Sequence, residues 1–92
     1  MTDYILKVDN ELELIIEKKQ KDVRQDVINQ YISCRKNLHM TQTDIANILG
    51  TKRPNITRFE NGTYNPTLDF LVKVAESMGK ELEIKLVDTT TP

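Results

Sequence analysis

The 92 residues amount to one small domain, 38% apolar and 29% charged, within the range of a soluble globular protein. No apolar run exceeds three residues, which excludes a membrane-spanning helix, and Asp3, Lys7 and Asp9 interrupt the N-terminus too early for a signal peptide. A single cysteine, Cys34, excludes an internal disulfide, and a single histidine, His39, argues against a metal site; no cofactor is expected, and the setting reads as reducing and cytoplasmic.

The formal net charge of −1 conceals an uneven distribution. Residues 1–33 and 65–92 each carry a net of −2. Residues 34–64 carry +3, from Arg35, Lys36, Lys52, Arg53 and Arg58 against Asp44 and Glu60. A polyanion responds to a local basic face more than to the total, so a nucleic-acid partner stays open.

In chain order, residues 1–21 form an N-terminal extension with two readings. Tyr4, Leu6 and Val8, then Leu12, Leu14 and Ile16, alternate about Asp9-Asn10, which suits a β-hairpin. Leu12, Ile15 and Ile16 also suit a helix running on into the next element. The hairpin is the preferred reading. From about Asp22 to Asn37 no residue breaks a helix, and Val27, Tyr31, Cys34 and Leu38 recur at helical spacing. Cys34 on that apolar face reads as a packed thiol, and His39 as a residue just past the helix end.

Thr41 offers an N-cap and Asp44 a capping-box partner for a second helix with Ile45, Ala46 and Leu49 inward and Gly50 as its stop. A third helix follows over about Arg53–Glu60, where Pro54 is tolerated because it lies in the first turn. Asn61-Gly62 ends it. Thr67 caps a fourth helix carrying Leu68, Leu71, Val72 and Ala75, closed by Gly79. Beyond Gly79 the period becomes two: Leu82, Ile84 and Leu86 alternate with Glu81, Glu83 and Lys85, as in a strand with one buried face. Residues 88–92 read as a disordered tail.

Two helices joined by a tight glycine turn make a helix-turn-helix, and the geometry restricts residue type. Counting from Gln42, the close crossing of the helices falls on Ala46 and the turn on Gly50, where positive φ favours glycine. Ile45, Leu49, Ile56 and Phe59 fill the positions directed at the core. Arg53 and Arg58 carry planar donor forks suited to guanine, Asn55 an amide suited to adenine, and Lys52 a point charge suited to phosphate.

Residues 24–78 resemble the lambda-repressor/Cro-like helix-turn-helix proteins, the XRE family. The resemblance is carried by Thr41-Gln42-Thr43-Asp44-Ile45-Ala46, Ile56-Thr57-Arg58-Phe59-Glu60-Asn61-Gly62 and Asn65-Pro66-Thr67-Leu68. It implies a mainly α fold: a lambda-repressor-like bundle of four to five helices over residues 22–79, here with a C-terminal strand at 80–87. It further implies that Gln42 bonds a phosphate, that Arg53, Pro54, Asn55, Thr57 and Arg58 face bases or flanking phosphates, and that Asn61, Thr63 and Tyr64 contact the DNA backbone. Arg35 and Glu60 match an internal salt bridge of the family. Lys52 departs from the Ser or Thr usual as N-cap of the third helix, leaving Thr51 or water to serve.

A lone half-buried strand needs a partner. Antiparallel pairing with a second copy, centred on Ile84, sets Leu82 opposite Leu86 and Glu83 opposite Lys85; pairing with the N-terminal hairpin is the competing reading. The short core and the Gly-Lys-x-Leu-x-Ile ending resemble the HigA-type and HipB-type antitoxins, which implies a dimer, autoregulation and a toxin partner. The expectation is a dimeric, sequence-specific repressor on a palindromic duplex, with no membrane role; the alternative is a protein-interaction module on the same fold. No residue constellation suggests an enzyme.

Overall fold

The computed structural model describes the backbone of residues 2–89 and the side chains of residues 10–89. It contains four helices among these residues: α1 (Thr2–Asn37), α2 (Gln42–Leu49), α3 (Arg53–Asn61) and α4 (Leu68–Ser77). The helix-turn-helix and the fourth helix stand where the spacing places them. The extension does not: α1 is one 36-residue helix, so the hairpin expected over residues 1–21 is replaced by its competitor. Asp9-Asn10 lacks the glycine that a two-residue hairpin turn favours, and the Glu, Leu and Lys around it are good helix formers. Contacts four residues apart line the helix, Lys18 with Asp22 at 3.0 Å, Gln25 with Asn29 at 2.8 Å and Gln30 with Asp26 at 3.1 Å. At 1.5 Å per residue such a helix spans about 54 Å, and the molecule measures 56 × 29 × 19 Å.

The helix ends follow from local chemistry. Thr41 and Asp44 form a complete capping box, Thr41 Oγ1 accepting from Asp44 N–H at 3.0 Å and Asp44 Oδ2 from Thr41 N–H at 2.8 Å. Thr67 Oγ1 accepts from Phe70 N–H at 3.1 Å to start α4. Gly50 sits at φ 67° with Thr51 N–H donating to Ala46 O at 2.9 Å, which turns the chain from α2 to α3. The same bonding closes α1, where Met40 N–H reaches Arg35 O at 3.1 Å and His39 N–H reaches Lys36 O at 3.0 Å. There the left-handed position, φ 57°, is held by His39 instead of glycine. A His39→Gly change should therefore stabilise the fold by about 0.5–1 kcal/mol, read as a higher urea midpoint with an unchanged slope.

The core consists of Ile28, Tyr31, Ile45, Ala46, Ile56, Phe59, Leu71, Val74, Ala75 and Met78. Phe59 lies edge-on to both Tyr31 and Phe70, with ring centroids 5.4 and 5.3 Å apart. The buried Tyr31 hydroxyl donates to Leu71 O at 2.8 Å, and desolvation, with a smaller effect of Cys34, raises its pKa above the ordinary value. Leu68 and Val72, expected inward, are exposed, because α4 turns its 71–74–75–78 face to the core.

No strand forms among the described residues, so the strand expected over residues 80–87 is not present. With the extension helical, the described residues offer this segment no strand to pair with, and it runs on without a ladder. Leu82 is half-buried against the core, whereas Ile84, Leu86 and Val87 are exposed. Of the tail expected to be disordered, residues 90–92 lie outside the described residues.

Candidate nucleic-acid interface

The candidate interface is the exposed side of α3 together with the loop that follows. Lys52, Arg53, Pro54 and Arg58 are exposed, as are Asn61, Thr63 and Tyr64, while Asn55 and Thr57 are half-buried. Among the described residues, no carboxylate pairs with Lys52, Arg53 or Arg58. The two acids of this part of the chain are engaged elsewhere, Asp44 in the α2 capping box and Glu60 in an ion pair beneath α3. The basic side chains thus face solvent with little local neutralisation, an arrangement suited to phosphate and to the acceptor edges of guanine.

Beneath this surface lies a polar relay. Arg35 on α1 grips Glu60 through two bonds, Nε to Oε2 at 2.7 Å and Nη2 to Oε1 at 2.9 Å, while its Nη1 donates to Met40 O at 3.0 Å. The pair is nearly enclosed, its side chains 12% and 8% exposed. Glu60 Oε1 also accepts from Gln42 Nε2 at 3.0 Å. A carboxylate accepts only, so Glu60 fixes the amide of Gln42 with its Nε2 inward and its Oε1 toward α3. That oxygen then accepts from Thr57 Oγ1 at 2.7 Å and, at a longer 3.4 Å, from Arg53 Nε. The Gln42 side chain thus ties α2 to α3 and, through Glu60, reaches Arg35 of α1.

Asn55 is engaged in the same way. Its Nδ2 donates to Thr51 Oγ1 at 2.6 Å, and its Oδ1 accepts from Arg58 Nη2. The amide that the sequence offers to adenine is bonded here to Thr51 and Arg58. Thr51 consequently meets a side chain of α3 instead of capping its backbone, and Lys52 at the N-cap makes no side-chain cap bond. Thr63 Oγ1 donates to Arg58 O at 3.2 Å, fastening the following loop to the helix end. Desolvation raises the Tyr64 hydroxyl above its ordinary pKa, and the nearby Arg58 guanidinium partly offsets this.

The Arg35–Glu60 pair is present as expected. The extension of that pair to Gln42, Thr57 and Arg53 went unseen in the sequence, because its members are 15 and 18 positions apart and carry no periodic signal. A groove of about 540 Å³ is lined by residues that include Ile16, Val23, Val27, Pro66 and Leu71 and by none of α3. Among the described residues no group of three or more His, Cys, Asp or Glu is placed to hold a metal, and no helix is long and apolar enough to cross a membrane.

Residues 32–85 match the family described as Helix-turn-helix. An uncharacterized HTH-type transcriptional regulator of Haemophilus influenzae is 34% identical over 68 residues, covering 74% of this chain and 69% of that protein. A counterpart in Methanocaldococcus jannaschii is 38% identical over 45 residues, covering 49% of this chain and 68% of its own. Among solved structures, a chain of a toxin-antitoxin module from Streptococcus pneumoniae superposes with a TM-score of 0.62 at 29% identity, covering 78% of this chain and 79% of that one. With the fold, the turn geometry and these matches in agreement, the chain belongs to the XRE-type helix-turn-helix family of transcriptional regulators.

Proposed function

We propose that this chain is a sequence-specific DNA-binding repressor of its own promoter and the antitoxin of a toxin–antitoxin pair, working as a homodimer in the cytoplasm. The observation that carries the DNA-binding part is the un-neutralised Lys52, Arg53 and Arg58, at the N-cap and on the exposed side of α3, with that helix bonded to α2 through Thr57 and to α1 through Glu60. The toxin partner is supported by likeness to a chain of a toxin-antitoxin module. Two recognition helices would enter successive major grooves of a palindrome, about 34 Å apart. Ile84 and Leu86, exposed and apolar, are the surface proposed to meet the second copy; Leu82 contributes from within its own chain.

In this reading Arg53 and Arg58 face bases, Lys52 faces phosphate, and Pro54, Thr57, Asn61, Thr63 and Tyr64 border the backbone. Titration of duplex DNA from upstream of the gene against random duplex, at two salt concentrations, tests it. A specific affinity about a thousand-fold or more above random is expected; equal, salt-sensitive binding to both would leave the fold serving a protein-interaction role. Arg58→Ala should cost about 1–3 kcal/mol on the specific duplex and relax its preference, whereas Lys52→Ala should weaken all duplexes alike and flatten the salt slope by about one. Equal losses for Arg58→Ala on both duplexes would remove its base-reading role.

A further inference from the structure

Among the described residues, the part of α1 before Arg24 buries no side chain. Every side chain from residue 10 to residue 23 is exposed, and the part before Ile16 borders no other element among the described residues. A helix of this length without tertiary packing is marginal in water. Yet Leu12, Ile15, Ile16 and Val23 are 55%, 55%, 43% and 63% exposed and share one side of the helix. Past Lys19, the same side of the helix continues through Val23 into the groove formed by Val27, Pro66 and Leu71. The first part of the stripe, Leu12 to Ile16, is bordered by Glu11, Glu13 and Glu17 with no basic residue between positions 10 and 17, while Lys18, Lys19 and Lys21 follow nearer the core.

We infer that this arm is the docking segment for the partner protein, and that the partner presents an apolar groove rimmed by Lys and Arg. The inference rests on the antitoxin reading and adds to it both the surface and the chemistry of the partner. A helix laid in a groove is read through anchors three and four residues apart, which Leu12, Ile15 and Ile16 supply. The flanking glutamates select a cationic rim, the kind of surface carried by proteins that themselves act on nucleic acid. A second copy fits this arm poorly. Parallel pairing sets glutamate beside glutamate. The antiparallel register that matches Leu12 with Val23 places Lys19 in the seam and Glu13 level with Asp22.

The test uses the full-length chain and the product of the adjacent open reading frame, co-expressed and then titrated against each other. Wild type is expected to bind that product, with affinity falling as salt rises. Leu12→Asp with Ile16→Asp should weaken the complex by about 100-fold, and reversal of Glu11, Glu13 and Glu17 to Lys by about 10-fold. These positions are exposed, so operator affinity and the melting temperature of the core should stay near wild type. Three results would overturn the inference: no binding of the adjacent product, a complex indifferent to both sets of substitutions, or an isolated wild-type dimer that the double variant turns into a monomer. Operator binding, measured on the same samples, reports separately on the DNA-binding reading.

Discussion

Replacing Glu60 by Ala is expected to destabilise the fold by about 3–5 kcal/mol and lower its melting temperature by about 15 °C or more, followed by circular dichroism. The reason is asymmetric. The Arg35 guanidinium would stay in a nearly closed site with its two carboxylate bonds gone and only Met40 O left to accept. Most of the loss is thus the stranded charge, not the intrinsic worth of the pair. Arg35→Met combined with Glu60→Leu should accordingly regain most of the stability. It should not regain operator affinity, because the Gln42 amide would lack the acceptor that fixes its orientation toward Thr57 and Arg53. A double variant both stable and fully active would show that the relay has no part in recognition.

Phe59→Ala should cost a similar about 3–5 kcal/mol, by a different mechanism. Phe59 is 1% exposed and wedged edge-on between Tyr31 and Phe70, so its removal leaves a cavity that three helices border. A domain of this size has a total stability of roughly 5–14 kcal/mol, so the variant would sit close to the threshold of folding. Phe59→Leu keeps most of the volume and should lose about 1–1.5 kcal/mol. Urea denaturation reads both. If the alanine variant loses under 1 kcal/mol, the aromatic cluster is not the keystone of the core.

The helix-turn-helix was legible because its constraints are local. A capping pair three residues apart, a small residue at a crossing and a glycine at positive φ each leave a mark on a short window, and Thr41–Asp44, Ala46 and Gly50 all stand as read. The extension was misread because Leu12, Leu14 and Ile16 alternate while Leu12, Ile15 and Ile16 share a helix face, and the two patterns occupy the same five residues. The balance falls to backbone propensity and to an unbroken run into Asp22. The fourth helix was found but rotated. Leu68 and Val72 satisfy the apolar pattern as well as Val74 and Met78 do, and only the packing of α2 against α4 decides which side faces inward. Of the candidate site, the basic residues were visible as charge. The bonds that orient them were not, since Gln42 and Asn55 look the same in sequence whether they face a base or each face a neighbour.

If Arg58 reads a base as proposed, its brace to Asn55 bears on the kinetics of recognition. An arginine that must be immobilised on meeting its base gives up roughly 0.5–1.5 kcal/mol of side-chain freedom at each encounter. With Nη2 held by Asn55, and Asn55 itself held by Thr51, that ordering is completed as the chain folds. On the proposed base-reading role, the remaining guanidinium donors would arrive at the groove already aimed, so a matched duplex would gain residence time while a mismatched one would meet a side chain with little freedom to find a substitute contact.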